Sequence, residues 1–377
     1  MHLSLSGVPP SRFFLDESGH GGDLSSSGDL GFAGQPVFAL ACVGVADEQG
    51  LEEELARMKI RHRCGDGEIK SSALGSRLPM FASELTGWLL ERDAAVFVEV
   101  VEKRYFVAIH AVNHLLCAFR GLDGVGQTVR STIAELVVGT DYEAVLLGYL
   151  GACRSRSLDD VASVLDGLWW TADRSDEDIA RVVQVLAMLA RDRTREAGAV
   201  AEDFLPIADE GPTGRAVWML PNLTSLTNLY GRVNQSRRSL VGVTLVHDVQ
   251  LQYGGVLDAA KAQLEDLSAC GAMPFTPFAD YGLRGRAELT FATAIDEPCL
   301  QAADVIAGCA MRFGRGAFRR GGAAGSPLRD AFTAIFDAGD PFRATGVNLV
   351  MSDKGLTRLR LHHVAAAPFV RGARVDG

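Results

Sequence analysis

Strand-like runs in this chain fall into two groups, and the stretch between them carries few. That split constrains the fold more than any other feature. Residues 12–16 (RFFLD), 37–45 (VFALACVGV) and 94–101 (AAVFVEVV) are short and rich in β-branched or aromatic side chains. The pattern resumes at 240–247 (LVGVTLVH) and 288–293 (ELTFAT). One sheet using both groups must join segments far apart in sequence, with residues 121–237 as an insertion. Inside that stretch, Ser157 and Ser175 each precede acids and then apolar residues at helical spacing. A serine oxygen accepts orphan amide hydrogens and acids complement the helix dipole, so both mark helix starts. Residues 52–60, 105–119, 256–267 and 299–313 also show helical spacing.

The order predicts an α/β chain: a mixed sheet flanked by helices, built from residues 11–120 and 238–313, with an all-helical insertion at 121–237. Residues 314–377 form a basic C-terminal extension, in which GVNLVMSDKGLTRLRLHHV reads as a hairpin turning at Asp-Lys-Gly.

Of 377 residues, 47% are hydrophobic and 22% charged, which excludes disorder throughout. The net charge of −10 excludes a surface basic all over. It does not exclude a local basic patch, because residues 305–377 hold eleven Lys or Arg against five Asp or Glu. Arg312, Arg315, Arg319 and Arg320 lie in RFGRGAFRR directly after the last helical pattern and are the expected nucleic-acid contacts. The start of the chain lacks the pattern of a signal peptide, and the most apolar run, 37–46, is half the length of a membrane span. Seven cysteines without a C-x-x-C pair fit a reduced, cytoplasmic setting better than disulfides or structural zinc. No membrane partner is expected.

Acids sit where the elements meet. Asp16 and Glu17 end the first strand, Asp248 ends the fourth, Asp304 lies beside the apolar stripe of the last helix, and Glu68 stands in GEIKSS. Strand ends that lie side by side project onto one rim of a sheet, and a helix across that rim adds another acid. Clustered carboxylates raise each other's pKa unless cations neutralise them. Hard oxygen donors at this density suit Mg2+ or Mn2+, and two such ions can activate a water and stabilise the leaving oxygen of a phosphodiester.

FFLDESGHGGD, GEIKSS, VHDVQ and EPCLQAADVIAG together resemble the bacterial and phage family known as domain of unknown function 3800. Its marks are a D-E-S-G opening, a later E-x-K-x-S, an Asp ending a central strand and an L-Q-x-A-D-x-x-A-G helix. The resemblance covers residues 11–110 and 238–313. It implies a ribonuclease H-like fold, with Asp16, Asp248 and Asp304 as catalytic metal ligands, Glu68 as a fourth acid and Lys70 as a phosphate contact. Glu17 is a further metal candidate. That fold's usual second acid lies on the helix after the third strand, where YFVAIHAVNHLLCAFR has none, so one ion or two stays open.

Other features are weaker. His110 and His114 stand one helical turn apart, without the glutamate of a zincin motif. His247 reads as a core or rim histidine, and Trp169–Trp170 as packing of the insertion. GHGGD at 19–23 matches neither phosphate-loop pattern. Two functions lead, with a phosphatase or nucleotide hydrolase that uses the same acids on a small substrate as a weaker third. One is a divalent-metal-dependent nuclease acting on DNA or RNA. The other is a non-catalytic binding or sensor module of the same fold, with a role in bacterial or phage defence. A homodimer and a neighbouring defence protein are the further partners left open.

Overall fold

The computed structural model describes residues 9–65, 67–117, 126–211, 214–249, 253–271, 279–318 and 326–360. Strands β1 (Arg12–Ser18) and β2 (Val37–Gly44) are joined through two 3-10 turns, Leu24–Ser26 and Phe32–Gly34. Helices α1 (Glu48–Arg61), α2 (Ser71–Leu74) and α3 (Leu78–Glu91) lead to β3 (Ala95–Glu102). Next come α4 (Lys103–Ala111), α5 (Gln127–Val137), α6 (Glu143–Ser155), α7 (Leu158–Asp173), α8 (Asp178–Arg193), the short pair β4 (Asp209–Glu210) and β5 (Ala216–Val217), and α9 (Pro221–Arg237). The chain continues through β6 (Thr244–Asp248), α10 (Gly254–Ala269), β7 (Glu288–Ala292), α11 (Leu300–Phe318), α12 (Ser326–Asp337), β8 (Gly346–Val350) and α13 (Asp353–Leu359).

Both groups of strands enter one six-stranded mixed sheet of order β7-β6-β1-β2-β3-β8, flanked by helices. β1 runs antiparallel to β2 and parallel to β6, and β6 runs parallel to β7. The central strands are apolar on both faces: Phe13, Phe14, Leu15 and every residue of β2 are buried. Burial of such side chains contributes about 1.5–3 kcal/mol each and requires a helical layer on either side. Val37 lies against Gly314 of α11, whereas its neighbour Phe38 lies against Gly21, which also abuts Asn222 of α9. Alternate residues of a strand point to opposite faces, so α11 and α9 cover opposite sides of the sheet.

The chain divides into two compact units. One comprises Met1–Gly21, Val37–Val100 and Asn222–Leu349; the other comprises Gly22–Pro36, Val101–Pro221 and Val350–Gly377. Residues 121–237, expected to be all-helical, hold α5 to α9 and also the short antiparallel pair β4–β5. Helix α4, expected in the core, packs with α5. Helix α9, expected in the insertion, belongs with the sheet because Arg232 ties it to β3 and to the approach to β8. Its guanidinium donates to Glu99 Oε1 at 2.7 Å, Ala344 O at 2.8 Å and Gly346 O at 2.8 Å.

Three further expectations change. The C-terminal hairpin is not formed: β8 is followed by α13, whose start Ser352 caps by accepting from Gly355 N at 3.0 Å. Asp-Lys-Gly is therefore a first helical turn. The last core helix runs five residues past its expected end, to Phe318, and so carries Arg315 as well as Arg312. Ser157 caps α7 as expected, whereas α8 begins at Asp178, three residues after Ser175. Among the described residues no single helix is long and apolar enough to cross a membrane.

Glu99 is fully buried and its neutralisation depends on Arg232, with Asn348 and Asn228 donating to its second oxygen. Removing one member of a buried ion pair leaves the other uncompensated. Arg232→Met is expected to destabilise the chain by about 3–5 kcal/mol in urea denaturation, and a loss below about 1 kcal/mol would contradict the role given to the pair.

Candidate active site

Parallel pairing of β1 with β6 aligns Leu15 with His247, and one residue further along each strand stand Asp16 and Asp248. Helix α11 crosses β1 and β2 and delivers Asp304 to the same rim. Three acids from three elements thus converge, although more than two hundred residues separate the first from the other two. Asp16 bears the cost. Burial, then the charges of Asp304 and Asp248, push its pKa up to about 8.

The positive charge at the rim is Lys70. Its ammonium lies 2.5 Å from Glu68 Oε1 and 3.7 Å from Asp248 Oδ2. Burial works against that charge, but Glu68, Asp248 and Asp16 outweigh it and hold the pKa above its ordinary value. Asp304 accepts from Ser71 N and from Ser71 Oγ, each at 2.6 Å. Burial raises its pKa and these two bonds partly offset the shift.

Segment 69–75 is laid along one face of α11. Gln301, Asp304, Gly308 and Arg312 recur at spacings of three and four, which places them in one stripe. Gln301 Oε1 accepts from Ile69 N at 2.9 Å while its Nε2 donates to Ala294 O at 3.0 Å. At position 308 a Cβ would come within 2.4 Å of Ser71 Cβ and 2.5 Å of Ser71 Oγ, so only glycine leaves room for the serine. Arg312 donates to Ser71 O at 3.0 Å and Gly75 O at 3.4 Å. The L-Q-A-A-D-V-I-A-G run is therefore the seat of the GEIKSS segment. The serine that bonds Asp304 is Ser71, and not Ser72, which the E-x-K-x-S pattern would select and which is exposed. Gly19, from the D-E-S-G run, has φ +91° and abuts Val37 O, where a Cβ would stand at 2.7 Å.

Other expected residues are placed apart. Glu17 follows Asp16 on β1, where successive residues face opposite sides of the sheet. Arg312 holds the backbone of segment 71–75, and Arg315 lies on α11; Arg319 and Arg320 fall outside the described residues. His247 is a core histidine, fully buried beside Phe291, with Nδ1 2.9 Å from Asp248 O. His110 and His114 stack at 5.8 Å where α4 passes into a π-helical turn, and burial drives His110 down to about 3, so it is neutral. Trp170 is largely exposed, set edge-on to Trp169, and does not pack the insertion as expected.

Among the described residues no three His, Cys, Asp or Glu side chains are already gathered as a metal cage. The donor chemistry nevertheless fits a hard divalent cation. Asp16 and Asp248 offer carboxylate oxygens, and each Asp304 oxygen keeps a lone pair beyond the bond from Ser71. A scan against known protein families, a search of curated proteins and a search of solved structures each find no match.

Two outcomes follow. Between 3.8 and about 8 the native state keeps a proton on Asp16 that the unfolded chain has released. Stability without divalent ions should therefore fall as pH rises through that window, by at most about 1.4 kcal/mol per unit, and Asp16→Asn should flatten the profile. Urea titrations across the window check this, and equal slopes for the two proteins would contradict it. Gly308→Val should cost about 1–3 kcal/mol in the same measurement by driving Ser71 off the helix.

Proposed function

We propose that this chain is a divalent-metal-dependent nuclease with a ribonuclease H-like core. The observation that carries the reading is the convergence of Asp16, Asp248 and Asp304 on one rim, with Lys70 and Glu68 among them. The strand arrangement supports it, because β1 next to and parallel with β6 is what sets Asp16 beside Asp248. So do the four sequence runs that resemble the bacterial and phage family, since three of them supply these acids and the fourth supplies Lys70.

Asp16, Asp248 and Asp304 would hold Mg2+ or Mn2+. An ion bound there supplies charge neutralisation at the phosphodiester and a water of lowered pKa. The chain's own residues do the rest. Asp16 would release its proton to solvent in holding such an ion, whose charge would offset those of Asp304 and Asp248. Lys70, 42% exposed along its side chain, turns its ammonium from Asp248 toward a non-bridging phosphate oxygen. Ser71 fixes the Asp304 carboxylate, and Gln301 fixes the backbone that carries Lys70. Burial of Asp16 and Asp304 keeps bulk water from screening these charges.

One observation favours the second reading, a non-catalytic module of the same fold. Lys70 already supplies a cation to Glu68 and Asp248, and Ser71 already donates to each Asp304 oxygen. The two readings separate in a panel of single-stranded DNA, duplex DNA, RNA, hybrid duplex and free nucleotides with Mg2+ or Mn2+. Nuclease function requires divalent-dependent cleavage that Asp16→Asn and Asp248→Asn each reduce at least about a hundredfold while the protein stays folded. Asp304→Asn is a poorer probe, because an amide keeps one acceptor oxygen where the carboxylate accepts from both Ser71 N and Ser71 Oγ, so the Ser71 hydroxyl would have to turn. No cleavage of any substrate, with a melting temperature unmoved by either ion, would overturn the nuclease reading in favour of the module.

A further inference from the structure

Helix α8 is amphipathic twice over. Val183, Leu186, Ala187 and Ala190 are buried, and on a flank Gln184 and Arg191 bond Asp173 and Asp166 of α7. The opposite face is also apolar in its middle: Val182, Val185, Met188 and Leu189 are 40%, 52%, 49% and 45% exposed. Large apolar side chains exposed elsewhere, such as Ile60, Ile207 and Phe342, do not form such a stripe along one helix. A contiguous stripe of this kind marks an interaction surface.

Charges on the same face say what covers it. Asp178 and Arg181 lie before the stripe, Asp192 lies after it, and Arg195 stands just past the end of the helix, all exposed. Turned end over end, the pattern meets itself. With Val185 of one chain opposite Met188 of another, Arg181 faces Asp192 and Asp178 faces Arg195, and the two-fold axis repeats both pairs. Side-by-side parallel packing would instead set each charge against its own kind. The Asp192–Arg195 pair within one chain, at 3.1 Å and exposed, lies at the edge where the crossed pairs would form and can join them. We propose that α8 is a homodimer interface, in which two copies pack antiparallel about a two-fold axis passing between Val185 and Met188. The interface is isologous, so it closes at two chains. A single pair of helices lies at the small end of specific interfaces, and the expected association is therefore weak and reversible.

Sedimentation velocity of the full chain over a hundredfold concentration range tests this, with thermal melts to confirm that each variant is folded. The wild type should shift from monomer to dimer, and added salt should weaken the association by screening the four crossed pairs. Val185→Glu should abolish it, and Arg181→Asp should weaken it by about tenfold or more through like-charge contact with Asp192. Arg181→Asp combined with Asp192→Arg should restore it, because the pair is exchanged across the axis. A wild type that stays monomeric, a dimer that survives Val185→Glu, or a double variant no better than Arg181→Asp alone would each overturn the proposal.

Discussion

Two hydrogen bonds from Ser71 to Asp304 organise the candidate site. They join a segment ahead of α3 to a helix more than two hundred residues later, and they do so at a buried carboxylate. A buried acid without donors would protonate or move toward water. With both oxygens bonded it can remain at the rim where Asp16 and Asp248 arrive. Gln301 and Gly308 make the contact possible, one by holding Ile69 and the other by leaving space for Ser71.

The remaining electrostatics follow from that seat. Lys70 neighbours Ser71 in sequence, so seating the serine delivers an ammonium to the acids. Asp16 accepts from one backbone donor, Glu17 N at 2.7 Å, and burial with the charges of Asp304 and Asp248 still pushes its pKa up to about 8. The site is held together by backbone and serine donors and kept under strain by unbalanced negative charge. Such a compromise between stability and charge density is common at functional sites.

Much of the plan was legible in the chain. Both groups of strands, the intervening helices and the three aspartates were read from β-branched runs, helix-start serines and acids at strand ends, and all of these occur. What failed did so for local reasons. Asp-Lys-Gly has the chemistry of a turn, but Ser352 just before it caps a helix, and residues 353–359 follow the cap. Glu17 stands beside Asp16 in sequence, and adjacency on a strand means opposite faces. The charge of Arg312 suggests a phosphate contact, whereas its guanidinium is used on the carbonyls of Ser71 and Gly75.

By itself the sequence determined composition, element types and which acids stand at element ends, because these depend on neighbours one to four residues apart. Only the tertiary structure decided which of those ends meet. Strand order brought Asp16 beside Asp248, helix packing selected Ser71 over Ser72, and the registration of Gly308 against Ser71 left room for one hydroxyl. These are distances between segments far apart along the chain, and no local pattern encodes them. The exposed stripe of α8 shows the same division. Its period is visible in the residues, but which of its two apolar faces is already covered is known only once α7 is packed against it.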